Sequence, residues 1–486
     1  MYVSTRGQDK ATSSLAIIKG LASDGGLFVI DAFNKIDFDE TWLNLNYQEV
    51  AFKIFRYFLD DFTDEEIIEV INKAYNKDNF KDEILKVNHF DKFGFLSLYY
   101  GPTFAFKDMA LSVLPHLLEL SLKKHHNTKK TFILTATSGD TGSSSLSGFN
   151  KTKDIKTIVL YPNDGISEIQ ERQMRYFSSN GSYSFALNGN FDDCQKAVKK
   201  IFNEIKSDKV NLASANSINI GRLIPQVVYY FWAYLDSVKN KRIKFGDYIN
   251  VSVPTGNFGN ILASIYAKKM GLFIDKIICA SNTNNVLTDF FENGIYNANR
   301  NFVKTISPSM DILISSNLER FLYLINDNNP LVVSNLMEEL KNNNCYEINE
   351  IAKTKLKEIK AGFLGEIETV ASIKEVYDEY HFLIDPHTAV SYGVYKKLKI
   401  NDNYTIIVST ASPFKFISVY DKIFDLKKNT TLEKIIELSN ITNFKVDSRI
   451  IDLFNSDYDI DILNKDEVEE KIKSITGIGE LHESKD

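Results

Sequence analysis

Cysteine is scarce in this chain of 486 residues, which carries only Cys194, Cys279 and Cys345. An odd number of cysteines, widely spaced and outside any metal-ligand pattern, excludes a disulfide framework and points to a reducing compartment, with no metal expected. Long apolar runs are missing as well. None approaches the ~20 residues needed to cross a bilayer, and the opening Met1-Tyr-Val-Ser-Thr-Arg-Gly7 lacks the basic-then-apolar plan of a secretory leader. A cytoplasmic protein with no membrane partner is expected. Positive charge is not in excess either: 57 Lys and Arg stand against 64 Asp and Glu, net −7, which argues against a surface built to neutralise nucleic acid. There is no internal repeat, low-complexity tract or long linker, and no glycine pattern with Rossmann or Walker spacing.

The composition present, 44% apolar and 25% charged, is that of an ordinary soluble globular protein, and the length predicts two or three domains. From Asp39 to Ala74 apolar residues recur at helical spacing (Val50, Ile54, Phe58, then Ile67, Ile68, Ile71), with Thr63 as N-cap before Glu66. From about Phe93 the pattern changes to short β-branched runs separated by helical stretches. Thr131–Ala136, Thr157–Tyr161, Tyr183–Leu187, Tyr248–Val253, Lys276–Ala280 and Thr405–Ser409 read as strands, and the alternation predicts α/β layers around a largely parallel sheet. Ser167-Glu-Ile-Gln170 has the form of a capping box, and Ala197, Val198, Ile201, Phe202 and Ile205 mark one face of a helix over 192–205. Asn326–Asn344 is polar enough to be a surface insertion, and residues beyond Lys427 read as a mixed α/β extension ending in the polar Glu480–Asp486.

Five short segments can carry chemistry. In Gly101-Pro-Thr-Phe-Ala-Phe-Lys-Asp108 a lysine sits among apolar neighbours at a helix start. It reads either as a solvated charge or as a desolvated amine with a lowered pKa, a usable Schiff-base nucleophile. In Val251-Ser-Val-Pro-Thr-Gly-Asn-Phe-Gly-Asn260 a strand runs through a glycine- and asparagine-rich turn into a helix, which is either a plain connection or an anion site of backbone N–H groups. Thr137-Ser-Gly-Asp-Thr-Gly142 is a capped helix start or a carboxylate receptor at the carboxyl end of the sheet. Asn216-Ser-Ile-Asn-Ile-Gly-Arg222 joins small donors to a guanidinium able to pair with a phosphate or carboxylate. Ser409-Thr-Ala-Ser-Pro413 ends a strand with hydroxyls.

In this order, and together with Tyr2-Val-Ser-Thr-Arg-Gly7, Gly20-Leu-Ala-Ser-Asp-Gly-Gly-Leu-Phe28, Tyr161-Pro, Gln170-Glu-Arg-Gln-Met174, Gly189-Asn-Phe-Asp-Asp-Cys194 and Asp385-Pro-His-Thr-Ala389, the motifs resemble the threonine synthase family of the longer microbial and fungal type. That family lies within the tryptophan-synthase-β-like class of pyridoxal-5′-phosphate (PLP) enzymes, and the resemblance covers about residues 1–415. It implies a fold type II architecture, with two α/β domains around a PLP cleft and an N-terminal helical region. The corresponding boundaries are 1–92 for the N-terminal region, 93–425 for the catalytic region with a smaller subdomain at about 130–230, and 426–486 for the extension.

The resemblance further implies that Lys107 carries PLP covalently, that Gly256, Asn257, Phe258 and Asn260 hold its phosphate, and that Thr410 meets the pyridine nitrogen, with Asp140 near the O3′ edge. Thr137, Ser138 and Thr141 would take the substrate carboxylate, and Ser217, Asn219 and Arg222 the substrate phosphate. The implied reaction turns O-phospho-L-homoserine and water into L-threonine and phosphate, the last step of threonine biosynthesis, with Lys107 shuttling protons. A phospho-lyase releasing 2-oxobutyrate and ammonia would use the same groups, and a silent PLP-binding protein is the alternative from another class. His387, beside Asp385 and Pro386, is expected to be structural. Ser4, Thr5 and Arg6 either line the substrate entrance or fix an N-terminal strand; His89, His116, His125, His126, His381 and His482 are expected at surface or packing positions. Oligomeric state stays open between monomer and dimer.

Overall fold

The computed structural model describes residues 1–204, 209–455 and 459–478, with the backbone alone described at 203 and 204. Ile205, His482 and the polar end at Glu480–Asp486 therefore lie outside the described residues. Among these, the β-branched runs form two main sheets. The larger has the order Ile359–Phe363, Ile274–Ser281, Ile249–Pro254, Thr405–Ser409, Phe93–Ser97, Lys86–His89; every pairing is parallel except the last. The smaller is parallel throughout, in the order Ile462–Leu463, Tyr183–Leu187, Ile155–Pro162, Lys130–Ala136, Val210–Ala213. Central strands such as Ile249–Pro254 and Thr405–Ser409 are buried along their whole length, as parallel strands covered by helices on both faces must be.

The N-terminal region is more than helical. Tyr2–Ser4 is the centre of a small antiparallel sheet with Lys10–Ala11 and Phe28–Ile30, strands too short to leave a periodic signal in the sequence. The helices Tyr47–Phe58 and Asp64–Ala74 each open on a capping box, Asn46 with Glu49 and Thr63 with Glu66. Their apolar faces join one core with the helix Ile220–Lys239, where Phe38 and Trp42 meet Phe231 at ring-centroid distances of 5.1 and 5.7 Å. Within Asn326–Asn344 the chain forms a helix, Pro330–Asn343, capped by Asn329 and burying Val333 and Leu336. Its apolar residues sit at helical spacing inside a polar composition, so the segment packs by one face rather than standing off as an irregular insertion.

The last segment is divided between the two sheets. Thr431–Thr442 and Ser448–Asp452 bury Ile435, Leu438 and Ile450 in a cluster with Phe414 and Phe416. Ile462–Leu463 then adds an edge strand to the smaller sheet, and Val468–Thr476 lays Val468 and Ile472 against Val198 and Ile201.

The helix Asp140–Phe149 crosses the chain that follows Lys107 so closely that a Cβ on Gly148 would overlap the Leu111 carbonyl oxygen. Gly148→Ala must push two backbones apart; overpacking of this kind costs about 1–3 kcal/mol. The variant is expected to melt below the wild type in scanning calorimetry, and an unchanged Tm would show that the crossing is loose.

Candidate active site

The loop carrying Lys107 is laced to the turn after Thr405–Ser409 by backbone bonds: Phe106 N–H donates to Thr410 O at 2.8 Å and Ser412 N–H to Phe104 O at 3.0 Å. Asp108 closes the loop, accepting from the Thr103 N–H at 2.8 Å and the Thr103 hydroxyl at 2.7 Å. Thr410 is thereby fixed beside Lys107. The Lys107 side chain is 13% exposed, with Nζ 4.8 Å from the Phe106 ring centroid and 3.5 Å from Asp140 Oδ2. Burial lowers its pKa; Asp140 opposes this, while Lys415 and Arg222 lower it further.

Asp140 comes from the other sheet, at the helix start after Lys130–Ala136. Its Oδ1 meets Lys415 Nζ at 2.7 Å and accepts from Gln170 Nε2 at 2.8 Å; its Oδ2 accepts from Ser309 Oγ at 3.3 Å. Burial works against the charge, yet Lys415 first and Lys107 second hold the carboxyl far below the usual carboxylate range. Gln170, which the sequence marks as a capping residue and as the first of the Gln170–Met174 motif, bonds Asp140 and also caps its helix, accepting the Ser167 N–H through Oε1 at 3.1 Å. His387 reaches the same cluster. Its Nε2 accepts the Ser309 N–H at 3.2 Å, which places the ring proton on Nδ1, donated to Asp385 Oδ1 at 2.7 Å. His387 therefore braces Ser309, in keeping with the structural role expected for it.

The turn Gly256–Asn260 leads into the helix Gly259–Lys269 with Phe258 in the left-handed region, φ 63°. Gly256 packs against the Ser309 carbonyl, where a Cβ would come within 2.7 Å. A Cβ on Gly259 would instead have the Asn317 and Gln226 amide nitrogens at 3.6 and 3.8 Å and Ser217 Cβ at 3.8 Å. Asn260 turns its Oδ1 to the hydroxyls of Tyr229 and Tyr230, both at 2.6 Å, and leaves its buried Nδ2 without a partner. An orphaned amide donor, a helix N-terminus and a glycine surrounded by amides suit a bound phosphate. The segment 315–320 supports the turn: Ser315 Oγ donates to Gly256 O at 2.7 Å and Asn317 Nδ2 to Asn257 O at 3.1 Å.

That support leads back to the N-terminus. Arg6 grips Glu319 with two bonds, Nε at 2.9 Å and Nη2 at 2.6 Å, and Thr5 donates to the same carboxylate. Ser4 donates to Asp24 at 2.7 Å. Thr5 and Arg6 fasten the N-terminal strand to the segment behind the Gly256–Asn260 turn, and Ser4 ties the strand to its own region.

The remaining sequence candidates divide. Ser217 accepts from Asn317 Nδ2 at 3.1 Å and so borders the Gly256–Asn260 turn. Arg222 is buried, pushed down to about 10 by desolvation, and bonds Ala215 O while its Nε stays without a partner. Asn219 is occupied as the N-cap of Ile220–Lys239, accepting from Gly221 N at 2.9 Å and donating to Ile17 O at 2.9 Å. The Thr137 hydroxyl accepts from Gly139 N and Gly142 N, each at 3.0 Å, and keeps its own proton to donate. Ser138 and Thr141 are half-buried on the same loop. Lys415, Ser309, Gln170, Asn317 and the two tyrosines were not among the sequence candidates. Among the described residues no cluster of His, Cys, Asp and Glu could hold a metal, and no helix is long and apolar enough to cross a membrane.

A desolvated lysine amine between the two sheets, linked through Asp140 and Ser309 to a turn with an unpartnered amide donor at a helix start, fits PLP. Fold and site together define a PLP-dependent α/β enzyme. Comparison with known proteins narrows the class. Residues 1–75 match the family profile described as threonine synthase N terminus. Threonine synthase of Saccharomyces cerevisiae is 34% identical, over 93% of this chain and 95% of that protein. A Homo sapiens protein named threonine synthase-like 1 is 39% identical over 85% of this chain, which spans only 58% of that longer protein. The crystal structure of PLP-bound threonine synthase from Brucella melitensis superposes with a TM-score of 0.87 at 31% identity, over 98% of this chain and 99% of that one. The chain belongs to the threonine synthase family.

Asn260→Asp preserves the acceptor for both tyrosines and replaces the orphaned donor by a negative charge. A like charge against a phosphate costs several kcal/mol, so PLP affinity, measured by absorbance titration, is expected to fall more than about a hundredfold with the circular dichroism spectrum unchanged. Undiminished affinity would move the cofactor phosphate away from this turn.

Proposed function

We propose that the chain is a threonine synthase that converts O-phospho-L-homoserine and water to L-threonine and phosphate with PLP on Lys107. The observation that carries this reading is the placement of a largely desolvated amine beside Asp140 with two contiguous anion-binding elements, the Gly256–Asn260 turn and the buried Arg222. One anion site suits a cofactor phosphate and the other a phosphorylated substrate.

PLP supplies the electron sink that makes protons on Cα and then Cβ of the substrate removable. Lys107 is the base placed to take them, since burial first and the charges of Lys415 and Arg222 after it favour the neutral amine, against Asp140. The loop at 137–141 offers the Thr137 proton and the Ser138 and Thr141 hydroxyls to the substrate carboxylate. The unpartnered Nε of Arg222 would serve the leaving phosphate, together with Ser217, which borders the Gly256–Asn260 turn through Asn317. Asn219 acts on this site through the helix it caps. Thr410, fixed beside the Lys107 loop, would present a neutral hydroxyl to the pyridine nitrogen of bound PLP. Three unpaired cysteines agree with a reducing cytoplasm as the working compartment.

Incubating the PLP-loaded protein with O-phospho-L-homoserine is expected to yield threonine and phosphate in equal amounts. Phosphate accompanied by 2-oxobutyrate would replace the synthase by a lyase, and no phosphate would remove the substrate. Arg222→Ala is expected to lower kcat/KM by about tenfold to a hundredfold, the worth of a charge-assisted hydrogen bond of about 1.5–3 kcal/mol, with PLP still bound. Unchanged kinetics would place the substrate phosphate elsewhere.

A further inference from the structure

A second lysine lies in this site, and no step above uses it. Lys415 sits in the short turn Pro413–Phe416 after the Thr410–Ser412 hydroxyls, with its side chain 0% exposed. Its Nζ is 2.7 Å from Asp140 Oδ1 and donates to Thr103 O at 2.7 Å, a carbonyl that also accepts Gln173 Nε2 at 3.0 Å.

The charges around Lys107 do not balance. Facing it are Asp140 from the smaller sheet, Lys415 from the turn after Thr405–Ser409 and Arg222 from Ile220–Lys239. Asp108, the next residue, is the other carboxylate of the cluster, held by Thr103 and raised in pKa by burial. With both carboxylates ionised, three cations would still face two anions. An uncompensated charge is strongly penalised in a buried site, and one group gives up its proton. Arg222 cannot, because a guanidinium keeps its proton in proteins. Lys415 has the shorter contact to Asp140 and a second acceptor in Thr103 O, and these offset the cost of its complete burial. Lys107 has the longer contact, 3.5 Å, and an aromatic ring for its other neighbour. Of the two amines, Lys107 is the one whose charge has the weaker support.

We propose that Lys415 is a positioning residue that occupies Asp140 as a permanent counter-charge and so keeps the Lys107 amine neutral and nucleophilic. A cation next to an amine is a known physical route to such activation. Lys415 also pins Asp140 to Thr103, at the head of the Lys107 loop, so charge and geometry are set by one side chain. The inference rests on Lys107 as the PLP-bearing amine.

The test follows covalent attachment of PLP to the full-length chain after the cofactor has been stripped. The neutral Lys107 nitrogen adds to the aldehyde carbon, its two protons end on the aldehyde oxygen, and one water leaves. The attachment rate is recorded by absorbance from pH 6 to 10, and the linkage is located by borohydride reduction and mass spectrometry. In Lys415→Met, Asp140 is left to Lys107, and the pH midpoint is expected to rise by about one unit or more, slowing attachment about tenfold at neutral pH. Lys415→Arg keeps the charge and should stay near the wild-type midpoint. An unchanged midpoint in Lys415→Met, or an equal shift in Lys415→Arg, would overturn the proposal. Should Lys415→Met fail to fold, Lys415→Met/Asp140→Asn removes cation and anion together and is expected at or below the wild-type midpoint; a midpoint above it overturns the proposal. A wild-type chain that attaches PLP at another residue would overturn the proposed function along with this inference, whereas the variant outcomes bear on Lys415 alone.

Discussion

The pairing of Asp140 with two buried amines binds the molecule's two halves to one another and to the chemistry. Asp140 belongs to the smaller sheet, Lys107 and Lys415 to loops leaving the larger one. A buried carboxylate deprived of its partners would destabilise the fold by several kcal/mol, so the sheets must meet where these three residues meet. Gln170 and Ser309 supply the remaining bonds to Asp140, and behind Ser309 stands the His387–Asp385 pair. Such saturation lets a charged group persist in a nearly dry site.

Anion binding follows a second constraint, that helix ends leave N–H groups without partners. The helices Asp140–Phe149, Ile220–Lys239 and Gly259–Lys269 all begin near the cluster. Thr137 and Asn219 satisfy their own helix starts and so shape the loops, while the side chains of Asn260 and Arg222 keep unused donors. The N-terminal region takes part from behind: Arg6 and Thr5 hold Glu319, Arg320 holds Phe28 O at 2.9 Å, and Asn317 between them supports the turn. A region remote from the reacting atoms is thus part of what keeps the cradle in shape.

Much of the fold was legible in the sequence. Strands such as Tyr183–Leu187 and Thr405–Ser409 have the expected bounds, because β-branched runs bounded by polar turns carry a strong local signal. The small N-terminal sheet was not legible, since strands of two or three residues show no period. Asn326–Asn344 looked like an insertion because its polar content outweighed four apolar residues at helical spacing. In the site, the local chemistry of Lys107, Arg222 and the Gly256–Asn260 turn allowed a bland role as well as a functional one, and only the family resemblance chose between them. Gln170 was visible as a cap and in a family motif but without a site role, and nothing local singled out Lys415.

By itself the sequence determined the periodic elements, the helix caps, the absence of a disulfide framework and the order of motifs that mark the family, all properties of residues close together along the chain. Only the tertiary structure decided which groups share a charge, because Asp140 and Lys415 are separated by most of the chain and meet at 2.7 Å through sheet packing. It also decided that Asn219 is a cap and that Asn260 holds a free donor, since each depends on which neighbours the fold has already supplied. Burial and pairing are long-range quantities, and they lower the pKa of an otherwise ordinary lysine.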